Sequence, residues 1–199
     1  MLDHLAGLFT HPHEEWEDID REIERHGHGY LSHMVVLAAL PGLCMWYGTS
    51  VTGWSTGLDT IRLESTTAFL LGVAAWLGII CAVTIMGLFI HWLAKTYGCD
   101  PSWSRCVIFA AYTATPLYLT GFLGLFPSIP LALFGILAAI AYAVYLLYAG
   151  LPHIMHIPFE QGFMMATSIV AVGLVVLVSM KVMTIVLWDM GLGSIFSLG

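Results

Sequence analysis

The stretch TTAFLLGVAAWLGIICAVTIMGLFIHWLA, residues 66–94, decides the class of this protein. It contains no Asp, Glu, Lys or Arg, and it exceeds the ~20 apolar residues that a helix needs to cross the hydrocarbon core of a bilayer. A segment in lipid must satisfy its own backbone hydrogen bonds, so its predicted conformation is a helix. Being longer than a crossing requires, it is expected to tilt or to project beyond the bilayer.

The rest of the chain has the same character. Hydrophobic residues make up 59% of it and charged residues 10%, against about 25% charged in soluble domains. A soluble chain of 199 residues could not hide so much apolar surface in one core. The expected fold class is therefore all-α, a polytopic membrane protein. Five transmembrane helices are predicted, over residues 30–47, 66–94, 103–125, 129–151 and 163–188. Residues 1–29 form a separate N-terminal segment and 30–199 the five-helix domain. The connections are short, and the prolines of FPSIP exclude continued helix between spans three and four.

Positive residues set orientation. Arg21 and Arg25 precede span one, Lys95 and Arg105 flank the loop between spans two and three, and Arg62 stands alone in the first loop. This count predicts a cytoplasmic N-terminus and, with an odd number of spans, a C-terminus on the other side.

The N-terminal segment does not read as a cleaved signal, which begins with positive charge and soon reaches an apolar run. It carries EEWEDIDREIE instead, the main source of the net charge of −7. Trp16, Ile19 and Ile23 recur at helical spacing after Pro12, so an amphipathic helix is expected. Its acidic polar face suits docking onto the protein's own loops or onto a partner better than onto anionic lipid. Nucleic acid is excluded as a partner, because only six Lys and Arg are available to neutralise phosphates. The cysteines, 44, 81, 99 and 106, form no C-x-x-C pair and read as reduced packing residues.

Candidates for chemistry are few. In RHGHGYLSHMVV the residues His26, His28 and His33 gather where the leader meets span one, and the expected topology places His91, His153 and His156 on the same side. They read as a polar collar at the membrane surface, with a metal site or a proton-sensing site as the sharper alternatives. The glycines Gly27 and Gly29 mark this stretch as a hinge. Lys181 is the one formal charge well inside a span; it snorkels toward the outer interface or serves an ion or substrate site. Pro116 and Pro41 should kink spans three and one. Ala74, Gly78 and Ala82, and likewise Gly135, Ala139 and Ala143, repeat every four residues as helix-packing surfaces, within the bundle or between copies. Motifs for nucleophilic or phosphate chemistry are missing, so no enzymatic role and no cofactor are expected.

The succession GLFTHPHEEW, FAAYTATPLYLTGFLGLFP and YAVYLLYAGLPHIMHIP resembles the YIP (Ypt/Rab-GTPase-interacting protein) family over almost the whole chain. Its most characteristic residues are Tyr112, Thr115-Pro116, Tyr148, Gly150 and Pro152. The resemblance implies a five-helix membrane domain with a cytoplasmic N-terminus, a place in the bacterial inner membrane and a periplasmic C-terminus. Eukaryotic members bind lipidated Rab GTPases in vesicle traffic, a role that does not transfer to bacteria. What it implies here is a non-enzymatic scaffold or partner-recruiting protein, in contact with the bilayer and with copies of itself or other membrane proteins. The alternative is a small transporter or channel for a metal ion, a proton or a small solute.

Overall fold

A computed structural model describes residues 7–26, 31–55, 60–62, 64–126 and 129–187. Its helices are α1 (Pro12–His26), α2 (Leu31–Tyr47), α3 (Ser65–Thr96), α4 (Trp103–Thr113), α5 (Thr115–Leu119), α6 (Ile129–Met155) and α7 (Phe159–Leu187). Among the described residues three stretches are long and apolar enough to cross a membrane: Met34–Thr52, Ser65–Thr96 and Pro130–Met155. A fourth is made by α4 with α5 and the 3-10 turn that follows, bent by 43°. Helix α7 is apolar over Phe159–Val175 and stays helical to Leu187.

The elements follow the sequence with instructive departures. Helix α2 does not stop at Tyr47 but runs through a π-helical turn, Gly48–Thr52, closed by the Gly53 N–H donating to the Gly48 carbonyl at 2.8 Å. The first loop carries a two-residue antiparallel ribbon pairing Trp54 with Ile61 and Ser55 with Thr60. The kink expected at Pro116 is a full break at Ala114. Proline has no N–H to give the preceding turn, and here it begins a new helix, where none is needed. At the other end Pro152 does not stop α6, which continues to Met155.

Helix α4 is the centre of the molecule, buried continuously from Cys106 to Tyr112. Around it the helices approach through glycine. A Cβ on Gly42 would lie 2.6 Å from the Gly72 carbonyl oxygen, and one on Gly72 2.7 Å from that of Gly42, so α2 and α3 meet backbone to backbone. Gly87 does the same against Val107 of α4. These are not the residues that the four-residue repeats singled out in α3. Ala74, Gly78 and Ala82 are exposed, and a Cβ on Gly78 would meet nothing within 4 Å. Two residues advance a helix by about 200°, so a stripe beginning at Ala74 faces away from one that contains Gly72. At Ala74 and Gly78 the stripe thus points away from the α2 contact. The α6 repeat fares better: Ala139 and Ala143 are buried, and Gly135 faces Leu123.

Because the Gly42–Gly72 contact has no slack, Gly72→Val is expected to destabilise the bundle by about 1–3 kcal/mol, the usual cost of overpacking. The same substitution at exposed Gly78 is expected to leave thermal unfolding of the purified protein near wild type. Equal melting temperatures for the two variants would contradict the assigned packing faces.

Candidate functional site

The functional candidate lies at the end of the bundle where α1 docks. Pro12 opens α1 and Glu14 and Glu15 stand in its first turn, a charge placement that the helix dipole favours. Leu8, Trp16, Ile19 and Ile23 are buried, so the apolar stripe expected of the leader is covered by the protein's own helices. The Trp16 indole lies directly on Gly150 of α6, where any side chain would collide with it. On its other side the ring meets Phe109 of α4 with centroids 5.2 Å apart. Just ahead of α1, Phe9 stacks on Tyr142 at 5.0 Å, and the Tyr142 hydroxyl donates to the Leu8 carbonyl at 2.7 Å.

Beside this apolar seat is a charged cluster that joins α1, α4 and the end of α6. Arg105, in the first turn of α4, extends a guanidinium 3.3 Å from Asp20 and 3.5 Å from Glu24 and donates to the Ile154 carbonyl at 3.3 Å. His156 Nε2 is 2.6 Å from the second Asp20 oxygen, while His156 Nδ1 stands 3.5 Å from Arg105. The Asp20 and Arg105 side chains are only 15% and 16% exposed, whereas those of Glu24 and His156 are open to solvent. Burial makes the pair costly to break, because removing either partner leaves the other charge largely out of water and uncompensated.

His156 occupies an unusual backbone position. It is the one non-glycine residue with positive φ, at +53°, among the described residues. It sits just past the end of α6, where the Ile157 N–H donates to the Pro152 carbonyl at 3.2 Å and the His156 N–H to the His153 carbonyl at 3.4 Å. That is a Schellman termination, whose left-handed residue is usually glycine. A histidine there costs about 1 kcal/mol more than glycine, and its imidazole gains the bond to Asp20 in return.

The residues singled out beforehand fall into three groups. Gly150, Pro152 and His156 belong to this end: Gly150 seats Trp16, and Gly162 of α7 packs on Pro152. His153 is half-buried next to His13, with ring centroids 6.1 Å apart. Tyr112 and Thr115 are buried within the bundle with Pro116, and Tyr148 shares a 2.9 Å hydrogen bond with Thr167 of α7. Residues 27–30 of the proposed hinge, His28 among them, and the side chains of His26, His33 and Lys181 lie outside the described residues. Asp20, Glu24 and the role of Arg105 were missed. The available signal was the spacing of Asp20 and Glu24, four apart along the flank of the Trp16 stripe.

For a metal, the geometry offers Asp20, Glu24 and His156, with ligand atoms within 4.8 Å of one another. That donor set suits a divalent cation, but Arg105 already supplies positive charge there. Among the described residues, His156 is the only histidine that joins it.

Comparison with known proteins follows the same segment and the bundle behind it. The Yip1 domain model matches residues 6–180. The chain is 37% identical over 191 residues to the Inner membrane protein YohC of Escherichia coli K12, covering 96% of this chain and 98% of that protein. The YohC of E. coli O6:H1 strain CFT073 aligns with the same figures. No solved structure matches.

Two substitutions separate the parts of the cluster. Arg105→Gln leaves Asp20 and Glu24 without their cation, so amide exchange across α1 is expected to speed up, and zinc is expected to bind by calorimetric titration where the unaltered protein takes up none. His156→Gly exchanges about 1 kcal/mol of backbone relief for the lost imidazole bond, worth about 1 kcal/mol after solvent screening. Global thermal stability should therefore stay near wild type while α1 exchange rises. Unchanged α1 exchange in both variants would show that the cluster does not hold the helix.

Proposed function

Because the chain belongs to the Yip1 family, we propose that it is a non-catalytic integral membrane scaffold that recruits partners through its docked N-terminal helix. The observation that carries this reading is the division of labour on α1. Its apolar stripe is spent on Trp16, Ile19 and Ile23 inside the protein, while Glu14, Glu17 and Asp18 face outward. A partner meeting the docked helix reads acidic charge, which selects a basic segment and steers its approach.

In the same reading the chain spans the bacterial inner membrane five times, with α7 as the fifth span, a cytoplasmic N-terminus and a periplasmic C-terminus. Support comes from the clustering of Arg21, Lys95 and Arg105 with α1 at one end of the bundle, the side that positive residues mark as cytoplasmic. Copies of this chain or other membrane proteins are the expected partners, and no cofactor enters. A transporter for a metal ion, proton or small solute would need polar groups along its path. The mid-span cavity between α3, α4, α6 and α7 is almost wholly apolar, which favours the scaffold.

Capture from native membranes tests the proposal. The triple variant Glu14→Gln, Glu17→Gln, Asp18→Asn is expected to lose co-purifying proteins that the unaltered chain retains, with its thermal stability preserved. In proteoliposomes, proton or divalent-metal flux abolished by Lys181→Ala or by His153→Ala with His156→Ala would instead establish transport and sink the scaffold reading.

A further inference from the structure

The break in the third span stands beside a cavity that none of the interactions above uses. It measures about 380 Å³, within the range of ligand sites, and is bordered by α3, the α4–α5 break, α6 and α7. Each border presents a small residue: Ala82 on α3, Ala110 and Ala114 at the break, Ala143 on α6 and Gly173 on α7. The floor is deep, since Ile90, Ala110, Ala143 and Leu147 are all buried. The rim is open, since Ala82 on α3, Leu117 on α5, Ile140 on α6 and Leu174 on α7 line the cavity and are exposed. All four are apolar, so the opening suits hydrocarbon rather than water. Thr113 also lines the cavity, and its hydroxyl is buried with no hydrogen-bond partner.

We infer that this cavity holds one acyl chain of a membrane lipid, entering past the exposed rim with its methylenes against the break. Three observations select that occupant. Water is a poor one, because an ordered water wants about 2–4 polar partners and Thr113 offers one hydroxyl. A helix of a second copy is too thick: packed helices keep their axes about 8–10 Å apart, so it would cover the mouth and leave the floor at Ala110 and Ala143 empty. A hydrocarbon chain is thin enough to reach that floor, is present at the mouth in any bilayer, and restores the dispersion contacts that a void forfeits. Small residues on all four sides give the slot the width of such a chain. The cavity thereby makes the broken span a lipid-contacting element, independently of the recruiting role of α1.

Photolabelling tests this with the full chain in vesicles of phosphatidylethanolamine and phosphatidylglycerol that carry a diazirine midway along one acyl chain. Peptide mapping is expected to find Met86, Val144 and Ile169 labelled several-fold more than Leu133 and Phe134, which are exposed on the outer face of α6. Ala143→Phe fills the slot from one side. Gly173→Leu fills it from the other, where an added Cβ meets only Met86 Cε at an ordinary 3.8 Å. Each is expected to remove most of the cavity labelling while labelling at Phe134 stays at the wild-type level, which also shows that the variant is inserted. Cavity labelling no greater than at Leu133 and Phe134, or unchanged in both filled variants, would overturn the assignment. So would cross-linking to a second copy, in place of lipid, by a photoreactive side chain placed at Met86 or Ile169.

Discussion

The contact between Trp16 and Gly150 is the constraint on which the arrangement at this end of the bundle rests. An indole can lie on the backbone of α6 only where α6 has no side chain, and Gly150 supplies that place. Once the ring is seated there, Phe109 closes its other side and Ile19 and Ile23 follow into cover. The polar edge of α1 is then carried to Arg105 and His156, so Asp20 meets both within ion-pair distance. Aromatic burial provides most of the energy of this docking, at about 25 cal/mol per Å² of apolar surface removed from water. The charged cluster adds direction, because a guanidinium and an imidazole can be satisfied by one carboxylate in few orientations.

Much of this was legible in the sequence, and the reasons are physical. A charge-free run as long as residues 66–94 has one plausible solvent, so the membrane class and the helices follow from length and composition. The stripe of Trp16, Ile19 and Ile23 announced an amphipathic helix because its period is 3.6. Whether the protein's own loops or a partner would cover the stripe was left open, since periodicity names a buried face and not its cover. The charged cluster escaped for a related reason: Asp20, Arg105 and His156 are far apart in the chain, and only the Trp16 seat brings them together. Small-residue spacing left open what the α3 stripe packs against: Ala74, Gly78 and Ala82 match the pattern and are exposed, while Gly72 and Gly87 make the close contacts within the chain. Spacing carries no phase, and the phase was set by a neighbour that one helix alone does not reveal.

The broken third span shows how a membrane helix can be interrupted without exposing its backbone to lipid. Ala114 ends α4 with its N–H donating to the Ala110 carbonyl at 3.0 Å, and the Ala114 carbonyl accepts from Leu117 and Tyr118 as α5 begins. Irregular backbone at this depth is tolerated when it is enclosed by protein or lines a cavity, and both conditions hold. Thr115 and Tyr118 are buried within the bundle, and the opposite side borders the apolar slot.

The left-handed backbone at His156 has a consequence for how α1 and the last turn of α6 affect each other. A non-glycine residue in that conformation is held by its surroundings, and Asp20 of α1 is the nearest of them. Linkage makes the relation reciprocal: whatever α1 contributes to keeping the last turn of α6 closed, that closed turn contributes equally to keeping α1 in place. Release of α1 and loosening of the α6 terminus are thus coupled, each favouring the other to the same extent.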